Sequence, residues 1–149
     1  MYTHILIATD GSELAAKGVE SGLALAVQLK AKVTIVTVTE MWSAADIAST
    51  AVWQTDYRVI DEYEAAAAAG AAKTLDAASA IAKTMGVPAD RLHVKDKRPA
   101  EGIIQAAEER KCDLLVMASH GRRGIGRLLL GSQTTEVLTH SKIPVLVVR

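Results

Sequence analysis

Residues 117–132 read Met117-Ala118-Ser119-His120-Gly121-Arg122-Arg123-Gly124-Ile125-Gly126-Arg127-Leu128-Leu129-Leu130-Gly131-Ser132, and this composition suits the binding of an anion. An apolar, strand-like run (114–117) precedes the stretch and a helix-like segment follows it. A strand, a glycine-rich turn and a helix N-terminus together form a cradle for phosphate, because unpaired N–H groups and the helix dipole both point at the ligand. Glycines let the backbone approach closely. Residues 114–135 hold three arginines and no acidic residue, in a chain whose formal net charge is zero. The competing reading is a tight turn that holds nothing.

Other chemistries fit less well. The spacing Gly126, four residues, Gly131-Ser132 imitates the outline of a Walker loop, but Gln133 follows and the clamping lysine is missing, which argues against fast NTPase chemistry. No Gly-x-Gly-x-x-Gly fingerprint occurs. Asp10, His120 and Ser132 invite a Ser-His-Asp reading, yet no nucleophile elbow accompanies them. His4, His93, His120 and His140 lack metal-ligand spacing, so no metal site is expected from them. Cys112, the single cysteine, excludes an intrachain disulfide and is expected to be a small, partly buried residue. Asp10, before Gly11-Ser12, is either an N-cap of the helix that follows or a carboxylate facing a ligand.

The elements that position these residues alternate. Strand-like runs at 4–9, 33–39, 91–96, 113–118 and 144–148 are separated by helical patterns at 15–29, 57–85, 99–110 and 132–140. Strands alternating with helices imply an α/β domain with a five-stranded, parallel, doubly wound, Rossmann-like sheet and helices on both faces. With the order 3-2-1-4-5, the order reverses between strands one and four, where ligands of such sheets bind. The turn at Asp10 and the turn at 118–121 then meet in one crevice. The third run alternates in polarity and is expected near a sheet edge. Residues 40–56, with Trp42 and Trp53, are a lid, a partner surface, or an irregular helix extension. The alanine run 65–69 with Gly70 is explained by close helix packing.

With 149 residues, 50% apolar and 23% charged, the chain is read as a single soluble domain. Balanced charge argues against nucleic-acid or membrane partners, and two Trp with no Phe leave little for a base-stacking platform. Neither a signal peptide nor a membrane span is read in the sequence, so a cytoplasmic protein is expected.

The segments ILIATDGSE, IVTVTE, LLVMASHG and GSQTTEVLTHSKIPVLVV resemble the universal stress protein family, over essentially the whole chain. That family's nucleotide-binding branch carries Gly, two residues, Gly, nine residues, then Gly-Ser or Gly-Thr. Gly121, Gly131 and Ser132 match; the first glycine is replaced by Ala118. The resemblance implies that Ala8 and Val38 line an adenine pocket, that Asp10 faces the base or ribose, and that Met117 and Ala118 border the ribose. It places His120, Gly121, Gly131, Ser132, Gln133 and Thr134 around the phosphates. Arg122, Arg123 and Arg127 either neutralise phosphate or form a solvated basic surface.

The expected function is that of an ATP-binding, stress-response regulatory or sensor protein, with magnesium suggested by charge balance. No general base is evident, so the chain is not expected to be an enzyme beyond slow ATP hydrolysis. The alternative is a nucleotide-independent scaffold of the same fold, which Ala118 favours. An apolar last strand at a sheet edge, together with the resemblance, implies a homodimer.

Overall fold

The computed structural model describes residues 1–41, 57–121 and 129–149. Strands β1 (His4–Ala8), β2 (Lys32–Val38), β3 (Ala89–Val94), β4 (Leu114–Ala118) and β5 (Val145–Val148) form one sheet. Its order is β3-β2-β1-β4-β5, and every neighbouring pair is parallel. Helices α1 (Glu13–Leu29), α2 (Tyr57–Thr84), α3 (Pro99–Glu109) and α4 (Ser132–His140) connect the strands or follow them. The order is the 3-2-1-4-5 expected from the sequence, with its reversal between β1 and β4.

The period-two alternation of each strand divides the core between two layers. Ile5, Ile7, Val33, Ile35, Leu114 and Val116 pack against Val19, Leu23 and Ala26 of α1 and against Leu75, Ala78 and Ala82 of α2. Leu6, Ala8, Val36, Leu115 and Met117 face the opposite way, onto α3 and α4. Burial on both sides explains why the central strands are continuously apolar. Each fully buried aliphatic side chain contributes on the order of 1.5–3 kcal/mol. Edge strand β3, by contrast, is only partly covered, which its alternating polarity foretold.

Boundaries shift where backbone geometry decides them. β3 starts at Ala89, two residues before the run read from the sequence, and stops at Val94; Asp96 has φ 56, a left-handed conformation no strand continues through. Gly86, at φ 69, closes the end of α2. Cys112 is buried between α3 and β4, and burial chiefly, with the charge of Asp113 added, pushes its thiol up to about 11.

The N-terminal end of the sheet is tied by Asp113. Its carboxylate accepts from the N–H of Thr3 (2.8 Å), the N–H of His4 (2.9 Å) and the Thr3 hydroxyl (2.7 Å). Burial pushes this carboxyl up, but the hydrogen bonds outweigh it and hold it below the ordinary carboxylate range. Among the described residues, no helix is long and apolar enough to cross a membrane.

Candidate functional site

The turn from β1 into α1 needs a left-handed residue, and Gly11 supplies it at φ 78. Thr9 Oγ1 accepts from the Gly11 N–H (3.2 Å), and Asp10 Oδ1 accepts from the Ser12 N–H (2.9 Å). The N-cap of α1 is Ser12, whose hydroxyl accepts from the Ala15 N–H (3.1 Å). Asp10 therefore does not cap the helix. It closes an Asx turn just before the cap, and its other oxygen lies toward Gly121: a Cβ built there would stand 2.7 Å from Oδ2.

The β4–α4 connection is folded back on itself at both ends. The Gly131 N–H donates to Ser119 O (2.8 Å), while the Thr134 hydroxyl is 3.1 Å from the carbonyls of both Ala118 and Ser119. A Cβ on Gly131 would lie 3.2 Å from Ser119 O, so a side chain there would crowd the strand end. Gly131 is the N-cap of α4 and offers no side-chain acceptor, which leaves first-turn N–H groups without a side-chain cap. Such an end suits an anion. The ring Nδ1 of His120 is 3.1 Å from Ser119 Oγ. Ala118 is not among the residues with positive φ, so its methyl adds no backbone strain.

These turns border a cavity of about 580 Å³ over the carboxyl ends of β1, β2 and β4. All eleven residues singled out in the sequence line it: Ala8, Asp10, Val38, Met117, Ala118, His120, Gly121, Gly131, Ser132, Gln133 and Thr134. Two have side chains committed elsewhere. The Gln133 side-chain carbonyl accepts from the Ala100 N–H (3.0 Å), serving the start of α3, which has no side-chain cap of its own. Thr134 is 2% exposed and its hydroxyl proton goes to the strand-end carbonyls. What these two residues present to the cavity is chiefly backbone. Arg122, Arg123 and Arg127 lie outside the described residues, as do Trp42 and Trp53.

Sequence reasoning missed one wall. Ala66, Ala67, Gly70, Ala71 and Thr74 of α2 line the cavity, as do Thr37, Thr39 and Glu40 at the end of β2. The alanine run signalled small volume, but small side chains that pack a helix and small side chains that leave room look alike in a sequence. Behind Thr39, the His93 ring Nε2 sits 2.8 Å from the threonine hydroxyl. Burial chiefly, with Lys95 adding to it, holds that imidazole below its ordinary pKa.

The whole chain, residues 1–149, matches the model of the Usp family, the universal stress protein family. Universal stress protein YxiE of Bacillus subtilis is 30% identical over 149 residues, 100% of each chain. The solved structure of MJ0577, a protein of Methanocaldococcus jannaschii, is 27% identical, with a TM-score of 0.81 over 99% of this chain and 96% of that one. A universal stress protein solved in complex with cAMP is 26% identical, with a TM-score of 0.72 over 99% of this chain and 97% of that one.

Proposed function

The chain belongs to the universal stress protein family, and we propose on that premise that it binds an adenine nucleotide, ATP first among them, in the cavity over β1, β2 and β4. The observation that carries the proposal is convergence. Eleven residues, scattered from Ala8 to Thr134 and named by the resemblance to the family, line one cavity of about 580 Å³, within the range of small-ligand sites. The cAMP complex of a 26% identical structure supports an adenine ligand. The phosphates would lie over the backbone of Gly121 and Gly131-Ser132, with the base toward β2. A magnesium ion entering with ATP would meet oxygen donors, Asp10 among them, which is the donor type it favours. The protein then acts as a regulatory or sensor module in the cytoplasm, as a homodimer joined along β5, with at most slow hydrolysis.

A second reading, a nucleotide-independent scaffold of the same fold, draws on the Ala118 methyl in the cavity lining and on the diversion of the Gln133 side chain. Calorimetric titration with ATP, with and without magnesium, separates the two. Saturable binding is expected. Absence of heat at millimolar ATP, from protein shown to be folded, would leave the scaffold reading standing.

A further inference from the structure

Six polar residues are buried in the described part of the chain: Thr9, Thr34, Thr37, Thr74, Ser119 and Thr134. Four have side-chain hydrogen bonds: Thr9 to Gly11, Thr34 to His4, Ser119 to His120, and Thr134 to the end of β4. The remaining two, Thr37 on β2 and Thr74 on α2, make none, although they are only 5% and 7% exposed. Both line the cavity. The Ser79 Oγ is the sealed, unpartnered side-chain atom among the described residues, so the hydroxyls of Thr37 and Thr74 retain some open surface, and the cavity is what they border.

A hydroxyl that has no partner within the protein and opens only onto a cavity is free to serve what enters that cavity, and such groups in a native protein call for a role. Their position indicates one. Thr37 follows Val33 and Ile35 at period two, so it faces the layer of α2, where Thr74 sits beside Leu75 and Ala78. The phosphate-binding turns lie at β4, two strands away, and adjacent strands are spaced about 4.8 Å apart. A nucleotide anchored by its phosphates at β4 therefore has roughly 10 Å to cross before reaching Thr37, which puts its base at the β2–α2 wall. Beside Thr74, a Cβ on Gly70 meets nothing within 4 Å, so this wall has room.

We infer that Thr37 and Thr74 hold the polar edge of the base, the ligand giving their hydroxyls the partners that the protein does not. This rests on the adenine-nucleotide reading above. A hydroxyl both donates and accepts, so the pair suits the mixed donor and acceptor edge of a purine.

The test uses wild-type protein and the T37V, T74V and T37S variants, titrated calorimetrically with ATP and with tripolyphosphate, which lacks the base, and melted without ligand. Each valine variant is expected to bind ATP roughly two- to tenfold more weakly, one hydrogen bond's worth, while tripolyphosphate affinity is unchanged. T37S is expected to keep wild-type ATP affinity. Unliganded T37V and T74V are expected to melt close to the wild-type temperature, because each hydroxyl makes no hydrogen bond within the protein whose loss could destabilise it. ATP binding by the valine variants equal to wild type overturns the inference while leaving the nucleotide site intact. A fall in unliganded stability, failure of a variant to fold, or an equal loss for tripolyphosphate assigns the hydroxyls a structural role and overturns it as well. Wild-type protein that binds no ATP overturns the functional reading itself.

Discussion

Asp10 and Gly121, at the ends of β1 and β4, are packed so closely that a Cβ on Gly121 would stand 2.7 Å from Asp10 Oδ2. The glycine leaves the carboxylate its place at the point where the strand order reverses. The atom a new methyl would meet is the far end of a side chain, and Gly121 is not among the positive-φ glycines. Gly121→Ala therefore displaces Asp10 without straining the backbone. Its unfolding free energy is expected to stay within about 0.5 kcal/mol of wild type, while ATP affinity falls roughly ten- to hundredfold, the worth of one hydrogen bond to a charged group. Calorimetry alongside denaturant unfolding measures both. Unchanged affinity would remove Asp10 from the site.

Gly102 on α3 packs against Val38, which lines the same cavity. A Cβ there would lie 2.8 Å and 3.0 Å from the two γ-carbons of Val38 and 3.2 Å from a γ-carbon of Val94. Valine is stiff at χ1, so neither neighbour swings aside cheaply. Gly102→Ala gains up to about 1 kcal/mol in helix propensity but is expected to lose more in overpacking, roughly 1–3 kcal/mol. A lower melting temperature is the expected result. A higher one would mean that α3 lies further from the sheet than the contacts to Val38 and Val94 require.

Asp113 makes the stability of the fold depend on acid. Its folded pKa is held below the ordinary value of about 3.9, so the charged form is favoured by folding. That contribution is fully present above the unfolded pKa and is lost as the pH falls through the folded one. Asp113→Asn is expected to destabilise the protein by roughly 0.5–1.5 kcal/mol at neutral pH, since Thr3 and His4 lose a charged acceptor that solvent partly screens. The gap between wild type and variant is expected to narrow as the pH drops below about 4. Urea unfolding at a series of pH values checks this; a gap that stays constant to pH 2 would contradict the assignment.

Although alternation alone does not select the strand order 3-2-1-4-5 on which their convergence depends, the parallel doubly wound sheet and the Asp10, Gly121 and Gly131-Ser132 turns were legible from local signals, alternation of elements and loop composition. The role of Gln133 was not. Its partner, Ala100, is 33 positions away, and no local pattern links a glutamine on one helix to an uncapped N–H on another. Asp10 stayed open between a helix cap and a ligand-facing carboxylate for a related reason: Asp and Ser both cap well, and only the backbone at Gly11 decides that Ser12 takes the position. The α2 wall of the cavity escaped because an alanine run specifies a helix and a small volume but not what fills the space beside it.

The homodimer proposed above depends on β5. This strand has β4 on one side and is the last in the sheet order, so its other edge has no strand beside it among the described residues. Leu146, in its middle, is 39% exposed. An apolar edge strand of this kind pairs readily with a second copy, and a charge on it is a natural device against pairing. Leu146→Asp is therefore expected to convert a dimer into a monomer in sedimentation velocity. Because Leu146 is partly solvated in the single chain, the monomer is expected to remain folded, with its far-ultraviolet circular dichroism unchanged. Wild-type protein that sediments as a monomer at high concentration would exclude the homodimer. A variant that stays dimeric would place the contact on another surface.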